Sequence, residues 1–325
     1  MTKRQVIVNP RQSNTVRKAE KLVKARYRLS QLAIKVITTV FSMISKDDQD
    51  FQSYILKIKD FKELADDNGQ IGGSSYKALK DACEELKNTN IDFDDEAGFL
   101  IMGWIASAEY SAGAGEIEIE ISRKLRDMLL QLKESGNYLN YELKNILPLR
   151  STYVIRLYEL LKHEYNKVMK YKPNTTAVVH EVEIDTLRED FKIPNSYAYK
   201  DIRVNIFEKA IKQFKEYTDI EISYEPSRKR VKKVLAVEFT IRANDGLVDY
   251  LKDLRTFILY MRKNYINQDI WSGNKMILSI STKGLIYDKI SQKDYSRNKS
   301  QVVWEKWYEM AKKDELLILK QGKLF

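Results

Sequence analysis

The order of the predicted secondary-structure elements most constrains the fold, because the same order occurs twice along the chain. Each copy is predicted as a strand, a short helix, a turn, a longer helix, a strand and a hairpin. The first copy runs from FQSYILKIKD to EIEIEIS, and the second runs from HEVEI to VLAVEFTI. A long helix precedes the first copy, since apolar residues recur at spacings of three and four from Leu29 to Ile44. Two copies of one element order indicate a duplicated module.

In the first copy, the short helix is predicted at FKELADDNG and the longer one at GGSSYKALKDACEELKNTN, with a serine cap. Strands are predicted at IDF, at GFLIMGWIASAEY and at EIEIEIS. In the last of these, Ile117, Ile119 and Ile121 alternate with glutamates, which predicts one buried face and one acidic face. The hairpin AEYSAGAGEIEIE has no cluster of Lys or Arg, so it is a poor ligand for phosphates.

In the second copy, DTLREDFKI is predicted as a short helix with an Asp cap, and YAYKDIRVNIFEKAIKQFKEYT as a long helix. DIEISY and VLAVEFTI alternate like the two strands of a hairpin. The segment EPSRKRVKKV between them has five Lys or Arg residues in the eight positions after its proline. This element order is that of a winged helix. In such a module a recognition helix can enter the major groove while the hairpin wing lies along the backbone or an adjacent groove.

The charge of the chain favours a polyanionic partner. Its net charge is +10, from 56 basic and 46 acidic residues, which favours nucleic acid before membrane. The N-terminus has no long apolar core, and no stretch reaches about 18 uninterrupted apolar residues. We therefore expect a cytoplasmic protein that binds double-stranded DNA and does not associate with a membrane.

Residues suited to catalysis or metal binding are scarce in this sequence. Cys83 is the single cysteine and the two histidines, His163 and His180, are far apart, so we expect no disulfide, no metal site and no cofactor. A rolling-circle nicking enzyme needs closely spaced histidines beside a nucleophilic tyrosine, and a P-loop ATPase needs a Walker motif. The acidic clusters DDQD and DFDDE are typical of solvated loops. The sequence therefore predicts a protein that is not an enzyme.

The basic hairpin of the second copy is predicted to contact DNA phosphates, which strengthens binding without reading the base sequence. The alternative is a solvated hairpin tip. The residues predicted to make these phosphate contacts are Arg228, Lys229, Arg230, Lys232 and Lys233.

The first turns of the long helix in the second copy are the part that a recognition helix presents to base edges. These turns contain Tyr199, Lys200, Arg203 and Asn205. Arginine can bind guanine and asparagine can bind adenine. Arg203 also lies close to the helical phase of Phe207, so the alternative is that its aliphatic stem covers the rim of the core.

The first copy offers a different surface. Its longer helix has polar residues suited to phosphates, namely Ser74, Ser75, Lys77 and Lys80. Because acidic groups beside DNA reduce affinity, we expect the acidic sheet to pack against a partner subunit instead. The alternative is an ordinary exposed acidic strand.

One segment resembles a known family. LPLRSTYVIRLYELLKHEY, from Leu147 to Tyr165, is similar to the signature of the Rep initiators of iteron-bearing, theta-replicating plasmids. In that family a serine and a tyrosine precede an RLYELL helix that joins two winged-helix domains. YKALKDAC, AIKQFKEYTDIEISYE and ARYRLSQLAIKVI resemble other parts of the family, and the similarity covers roughly residues 6–242. The apolar face predicted for the joining helix consists of Val154, Leu157, Leu161 and Tyr165.

The resemblance implies a DNA-binding initiator without an enzymatic step of its own. Monomers would bind tandem repeats at a plasmid origin, help to open the adjacent duplex, and recruit the host initiator and the replicative helicase. Homodimers formed through the first domain would repress the initiator's own gene. The family tends to carry two basic residues where this chain has Arg203 and Asn205, which implies a different base preference. The alternative function is a winged-helix transcriptional repressor without a role in replication.

The predicted fold class is α+β, with two tandem winged-helix domains related by duplication and a mainly helical C-terminal extension. Residues 1–146 are the predicted N-terminal domain, for DNA backbone contact and dimerisation. Residues 147–243 are the predicted C-terminal domain, which includes the joining helix and binds specific DNA sequences. Residues 244–325 are the predicted extension, which packs on the core or between subunits or, alternatively, docks a partner. Its segment SQKDYSRNKS is predicted as a flexible linker. Its two apolar helical faces contain Leu247, Leu251, Leu254, Ile258 and Met261, and Trp304, Trp307, Tyr308 and Ala311.

Overall fold

The computed structural model divides the chain into two compact units, Met1–Asn244 and Asp245–Phe325. The two predicted winged-helix modules lie in the first unit, and the predicted extension lies in the second. The structure describes residues 5–7, 14–45, 48, 50–51, 53–65, 75–95, 98–111, 113–130, 132, 138–173, 175–231, 233–244, 254–265, 269–271, 277–312 and 317–319.

The first module contains short helices and three separate sheets. Its elements are β1 (Gln5–Ile7), β2 (Thr15–Ala19), α1 (Glu20–Val23), α2 (Gln31–Ser42), β3 (Ser53–Lys57), α3 (Ile58–Ala65), α4 (Ser75–Asn88), β4 (Ile91–Asp95), β5 (Gly98–Met102), β6 (Ile105–Ser111), β7 (Glu116–Ile121), α5 (Arg126–Leu129) and β8 (Tyr138–Glu142). The main sheet has the order β1-β3-β7-β6, in which β1 is parallel to β3 and the other pairs are antiparallel. Two smaller ribbons pair β2 with β8 and β4 with β5.

Local sequence accounts for the main elements of this module. Helix α2 begins after Ser30, whose hydroxyl accepts a hydrogen bond from the Ala33 backbone N–H at 3.2 Å. In β7 the isoleucines at positions 117, 119 and 121 are buried, while the glutamates between them are half-buried. The predictions of a long helix before the module and of a strand with one acidic face are therefore confirmed.

The strand predicted at GFLIMGWIASAEY is wrong, because the chain turns within it. Gly103 and Trp104 separate β5 from β6. A Cβ on Gly103 would lie 2.9 Å from the Lys87 carbonyl oxygen, so this approach to the end of α4 requires glycine. The Trp104 backbone N–H donates to Leu86 O at 3.1 Å, and the buried indole packs edge-on against Tyr27. The β4–β5 ribbon is therefore distinct from the wing, which is the β6–β7 hairpin.

The second module follows a long joining helix. Its elements are α6 (Thr152–Tyr171), β9 (Val178–Glu183), α7 (Ile184–Asp190), α8 (Tyr199–Ile202), a π-helical turn (Arg203–Phe207), α9 (Glu208–Tyr217), β10 (Ile220–Arg230) and β11 (Lys233–Ala243). The sheet has the order β10-β11-β9, and both pairs are antiparallel. The Asp cap predicted for α7 is wrong. The N-cap is Glu183, without a side-chain hydrogen bond, and Asp185 lies in the first turn, where its charge favours the helix dipole.

Helix α6 is buried all round over its central three turns. Every residue from Val154 to Tyr165 is buried, including the four predicted as its apolar face. The prediction of a one-sided amphipathic helix is therefore wrong, because α6 packs against α1 and β8 of the first module and against α9 and β9 of the second. A helix that is covered on all sides has no polar face to expose.

Arg156 on α6 joins the two modules through backbone carbonyls. Its side chain is 2% exposed. One guanidinium nitrogen, Nη1, donates to Tyr27 O and to Asp190 O, each at 2.7 Å, and Nη2 donates to Ala25 O at 2.7 Å. The guanidinium also lies 3.7 Å from the centre of the Tyr27 ring. Because Tyr27 belongs to the first module and Asp190 to the second, this one side chain fixes both against the joining helix.

Ion pairs along α6 strengthen the same junction. Glu159 is buried and accepts from Lys18 of β2. On the side of the second module, Lys162 Nζ lies 2.8 Å from Asp219 Oδ2, and the Tyr158 hydroxyl donates to Asp219 Oδ1 at 2.8 Å. Because each of these charges on the joining helix has an opposite charge beside it, their attraction offsets part of the cost of removing them from water.

The second unit combines two helices with a sheet. Its elements are α10 (Leu254–Asn264), β12 (Asp269–Trp271), β13 (Ile277–Ile280), β14 (Ile286–Asp288), β15 (Lys293–Asp294), α11 (Arg297–Lys312) and β16 (Leu317–Leu319). The sheet is antiparallel, with the order β15-β14-β13-β12-β16. The two predicted helices are present, but the sequence analysis did not expect the five-stranded sheet, whose strands are too short to show a clear alternation.

The core of the second unit joins the two helices to this sheet. It includes Phe257 of α10 and Trp304 and Trp307 of α11, whose indoles pack edge to face. Leu247, Leu251 and the side chain of Ala311, which were predicted on these helical faces, lie outside the described residues. SQKDYSRNKS is not a linker, since it contains β15, the start of α11 and the buried residues Tyr295 and Ser300. In the described part of the chain, none of the helices is long and apolar enough to cross a membrane.

Candidate nucleic-acid interface

The recognition helix of the second module contains a π-helical turn. Residues 199–217 form one continuous helix, in which α8 and α9 flank Arg203–Phe207. The Glu208 backbone N–H donates to Arg203 O, five residues earlier. Such turns are rare and are frequent at functional sites. The turn lies in the segment that a recognition helix presents to DNA, so it changes the direction of the side chains there relative to a regular helix.

The two predicted base-reading residues lie on this turn and are half-buried. Arg203 Nη1 donates to Glu208 Oε1 at 2.7 Å, and its guanidinium also bonds the Tyr224 hydroxyl. Burial and Glu208 raise the pKa of Tyr224, and Arg203 opposes them. Asn205 Oδ1 accepts from Lys209 Nζ at 3.2 Å. The stem of Arg203 therefore lies at the rim of the core, as the alternative expected, while 42% of its side chain stays exposed.

The other two residues predicted on this helix differ from each other. Lys200 is exposed and has no ion pair among the described residues, so it is open to a phosphate. The Tyr199 hydroxyl is buried without a hydrogen-bond partner in the described structure, and its ring packs against the core. Burial also raises the pKa of Tyr199. The predicted DNA contact by Tyr199 therefore disagrees with its position. Sequence analysis missed Val204, which is 37% exposed between the two base-reading candidates.

The second wing is a twisted hairpin with an irregular edge. β10 and β11 pair from Ile220 with Ala243 to Arg230 with Lys233, with register shifts on both sides of Arg228. Val231 at the tip has a φ of 56° and is 94% exposed. A β-branched residue rarely adopts this conformation, so the tight turn at the tip is strained. Lys232, predicted as a phosphate ligand, lies outside the described residues.

Two of the predicted phosphate ligands bind acidic groups of their own module. Arg228 Nε donates to Glu181 Oε1 at 3.0 Å, and Arg228 Nη2 donates to Glu183 Oε1 at 2.7 Å. The side chain crosses β11 over the small residue Ala236, which pairs with both Arg228 and Glu183. Lys233 Nζ lies 3.7 Å from Asp185 Oδ2. Both cations would have to exchange these acids for phosphates, which lowers their expected contribution to DNA binding.

Lys229 and Arg230 form the open part of the wing. Both are exposed, and neither has an ion pair or a hydrogen-bonded acid among the described residues. Their charges are therefore available to phosphates without a competing acid. Among the described residues of the wing that were predicted as phosphate ligands, Lys229 and Arg230 are therefore the two that no acidic group holds.

The first module offers fewer cations. Ser74 lies outside the described residues and Ser75 begins α4. Lys77 is exposed and has no ion pair in the described structure, whereas Lys80 Nζ lies 3.6 Å from Glu84 one turn on. Sequence analysis missed Tyr76, which is 46% exposed and packs its ring 4.5 Å from that of Tyr110 on β6.

The glutamates on the acidic face of the first wing are bound by side chains of the same sheet. Each glutamate of β7 has a partner on a neighbouring strand. The pairs are Lys57 with Glu116 at 3.7 Å, Ser53 with Glu118, and Ser107 with Glu120 at 2.9 Å. Because the described residues of this hairpin include no cluster of basic side chains, the first wing is unsuited to bind phosphates.

Two family models match this chain over both modules. One, described as "Initiator Replication protein, WH1", matches residues 15–162, and one described as "Initiator Rep protein, WH2" matches residues 183–241. The chain belongs to the initiator Rep protein family. This Rep protein is therefore a plasmid replication initiator, and the resemblance seen at RLYELL is confirmed. The joining helix α6 falls mainly within the first matched range, as does the β6–β7 wing, while β10 and most of β11 lie within the second.

Solved structures resemble the fold of this Rep protein. One is "Crystal structure of Pi initiator protein in complex with iteron DNA", which is 17% identical, with a TM-score of 0.59 over 72% of this chain and 99% of that one. At this identity the likeness shows the fold, and it confirms an α+β chain with two winged-helix domains. A second match is the WH1 domain of a replication protein isolated from a multiple sclerosis patient, 18% identical over 32% of this chain and 76% of that one, and its TM-score of 0.21 is too low to show the fold. No curated protein gave a significant match.

Proposed function

We propose that this Rep protein binds iteron-type tandem repeats at a plasmid origin, with its second module reading bases and its wing gripping the backbone. The observation that carries the proposal is the exposed pair Lys229 and Arg230, which have no acidic partner in the part of the chain that the structure describes. They lie on the wing of the same module that carries the π-helical turn. A solved relative of the same fold is bound to iteron DNA, which supports the choice of target. Phosphate contacts then fix the register in which the helix meets the bases.

Three residues of the π-helical turn are proposed to select the base sequence. Arg203 suits guanine once it releases Glu208, and Asn205 suits adenine. Val204 exposes an apolar surface between them, which suits the methyl group of thymine. This combination would give a preference that differs from that of relatives with two basic residues in these positions.

The first module is proposed to add backbone contacts through α4 and to form the dimer. Lys77 has no competing acid among the described residues, so it suits a phosphate. The ribbon next to the wing exposes Phe99 at 77% and Ile101 at 54%, an apolar surface that supports a subunit contact. Dimers would repress the initiator's own gene, whereas monomers would help to open the origin. Recruitment of the host initiator and the replicative helicase, without an enzymatic step in this chain, completes the proposal.

The wing is tested by the salt dependence of DNA binding. We expect K229A/R230A to weaken binding to every DNA sequence and to lower the slope of log K against log salt by up to about 1.8, or about 0.9 for each lost phosphate contact. The probe is the DNA that flanks the gene, measured by fluorescence anisotropy. R123A/K124A removes an exposed Arg–Lys pair from the first module and is the matched control. An unchanged salt slope in K229A/R230A would contradict the proposed contacts between the wing and the DNA phosphates.

The function as an initiator is tested separately by replication. The gene and its flanking DNA are placed on a fragment that has no other origin, in a host that supports the parent plasmid. Autonomous replication that is lost with K229A/R230A is expected. Repression of the flanking promoter without any replication would instead favour a transcriptional repressor.

A further inference from the structure

Four titratable side chains from three elements meet beside the joining helix. Glu20 comes from α1, His163 and Glu164 come from α6, and His180 comes from β9. His163 Nε2 lies 3.5 Å from Glu20 Oε2, and His180 Nδ1 lies 3.9 Å from Glu164 Oε2. The two histidines, which are separated along the sequence, thus both lie beside acidic groups of this cluster.

His163 is the unusual member of this group. Its ring is 1% exposed, and neither ring nitrogen has a hydrogen-bond partner in the described part of the chain. Buried polar atoms normally have partners, so the unpartnered nitrogens of this buried imidazole point to a ligand.

We propose that Glu20, His163 and Glu164 form a binding site for a transition-metal dication such as Zn²⁺. One ligand atom from each of the three lies within 4.8 Å of the others. Ligands about 2.0–2.1 Å from a tetrahedral zinc lie about 3.4 Å from one another. The 3.5 Å between His163 and Glu20 matches that spacing, and a small movement of the Glu164 carboxylate completes the three. An imidazole with two carboxylates suits zinc better than magnesium.

His180 is placed to supply the fourth ligand. Its ring nitrogen Nδ1 faces the same Glu164 carboxylate, and its side chain is only 29% exposed. Because α1 lies in the first module and β9 in the second, a bound ion would tie both modules to α6. It would act beside Arg156 at the same junction.

Two lysines hold the carboxylates when no ion is bound. Lys24 donates to Glu20 and lies 3.9 Å from Glu164 Oε1, while Lys167 lies 3.9 Å from Glu164 Oε2. Their ammonium groups neutralise the acids and compete with a dication for the same oxygens. Replacement of Lys24 by a neutral residue should therefore strengthen metal binding, whereas loss of a ligand should weaken it. Opposite effects of substitutions at Glu20 and Lys24, which bond to each other, would not arise from a general change in stability.

The test uses the full-length protein, stripped with a chelator and titrated with ZnCl₂ by calorimetry, with thermal unfolding in parallel. We expect one zinc per chain, a rise in Tm on binding, and no such rise with MgCl₂. E20Q and H163Q should weaken zinc binding at least tenfold, and K24M should tighten it. Because His163 is buried, E20Q at a partly exposed carboxylate is the variant that tests the site without disturbing the core.

The matched control is E142Q, which neutralises an exposed carboxylate paired with Lys144 outside the site. It should bind zinc as the wild type does. The proposal is overturned if the stripped protein binds no zinc, if E20Q binds it as tightly as E142Q, if K24M weakens binding, or if magnesium gives the same response.

Discussion

The two winged-helix modules share the order strand, helix, helix and hairpin wing, with the β4–β5 ribbon added in the first, but their wings carry opposite charge. In the first wing, each glutamate of β7 is bound by a serine or a lysine of a neighbouring strand. In the second wing, the sheet holds Arg228 against Glu181 and Glu183, and Lys229 and Arg230 near the tip are exposed and have no acidic partner among the described residues. The comparison shows that two hairpins in equivalent positions can carry opposite charge, because a few surface residues set the charge of each wing.

The largest expected effect is on stability and concerns Arg156, which bonds to both modules. We expect R156A to lower the free energy of unfolding by about 3–5 kcal/mol, because it leaves buried carbonyls of both modules without their shared donor. During urea unfolding of R156A, the two modules should then unfold in separate transitions instead of in a single one. R156K keeps the positive charge but not the planar guanidinium, so its free energy of unfolding should lie between those of R156A and the wild type.

This stability prediction is checked by circular dichroism during urea unfolding. R123A, at an exposed position, is the control and should unfold like the wild type. A loss of less than about 1 kcal/mol in R156A would show that the modules are held together by other contacts.

The next effect concerns base reading, which is assigned to the second module. We expect V204A to lower the preference for thymine at one position of the repeat by about 1 kcal/mol, because the smaller side chain loses its contact with the thymine methyl group. Binding to a repeat that lacks this thymine should not change. Competition assays with single-base variants of the repeat measure both values, and an equal loss on every variant would remove Val204 from base recognition.

A smaller effect is expected when the acids that hold Arg228 are neutralised. E181Q/E183Q removes two negative charges beside the wing and frees the guanidinium for a phosphate. We expect affinity for DNA of any sequence to rise about threefold, with a steeper salt slope. E142Q, which removes one exposed carboxylate from the first module, is the control. Affinity and salt slope are measured by anisotropy titrations at several salt concentrations, and a fall or no change in affinity would mean that the two acids do not compete with phosphates for Arg228.

The smallest effects come from adding one lysine to the tip of either wing. V231K should steepen the salt slope by up to about 0.9, because Val231 is 94% exposed and follows Lys229 and Arg230 at the tip of the wing. A114K, at the exposed turn of the first wing, should leave the slope unchanged within error. The same titration compares the two. Equal increases in the salt slope would show that both wings lie near DNA and would contradict the proposal that only the second wing contacts phosphates.

Much of the fold could be predicted from local pattern, because its signals are carried by neighbouring residues. The alternation in EIEIEIS and the spacing that gives α2 are of this kind. The break at Gly103 was missed because the cause is a carbonyl of another element, Lys87 O. The burial of α6 on all sides was missed for a similar reason, since only the docking of both modules removes its polar face from solvent.

The candidate site was predictable in outline but not in detail. The basic residues of the wing stand out in the sequence, yet the acids that bind Arg228 lie on a distant strand and become neighbours only in the folded sheet. The π-helical turn leaves no sequence signature, and it changes which side chains of the recognition helix reach solvent. The meeting of His163 with Glu20 likewise depends on α1 packing against α6.

The burial of α6 between the two modules also fixes the distance between them. The helix has 20 residues, which corresponds to about 30 Å, and Arg156 in its second turn bonds to both modules. If both modules contact one duplex, the distance between their contacts is set by the protein and cannot stretch. One base pair inserted between the two contacted segments rotates them by about 34° relative to each other. The spacing inside each repeat should therefore tolerate no insertion, even where the inserted base touches no side chain.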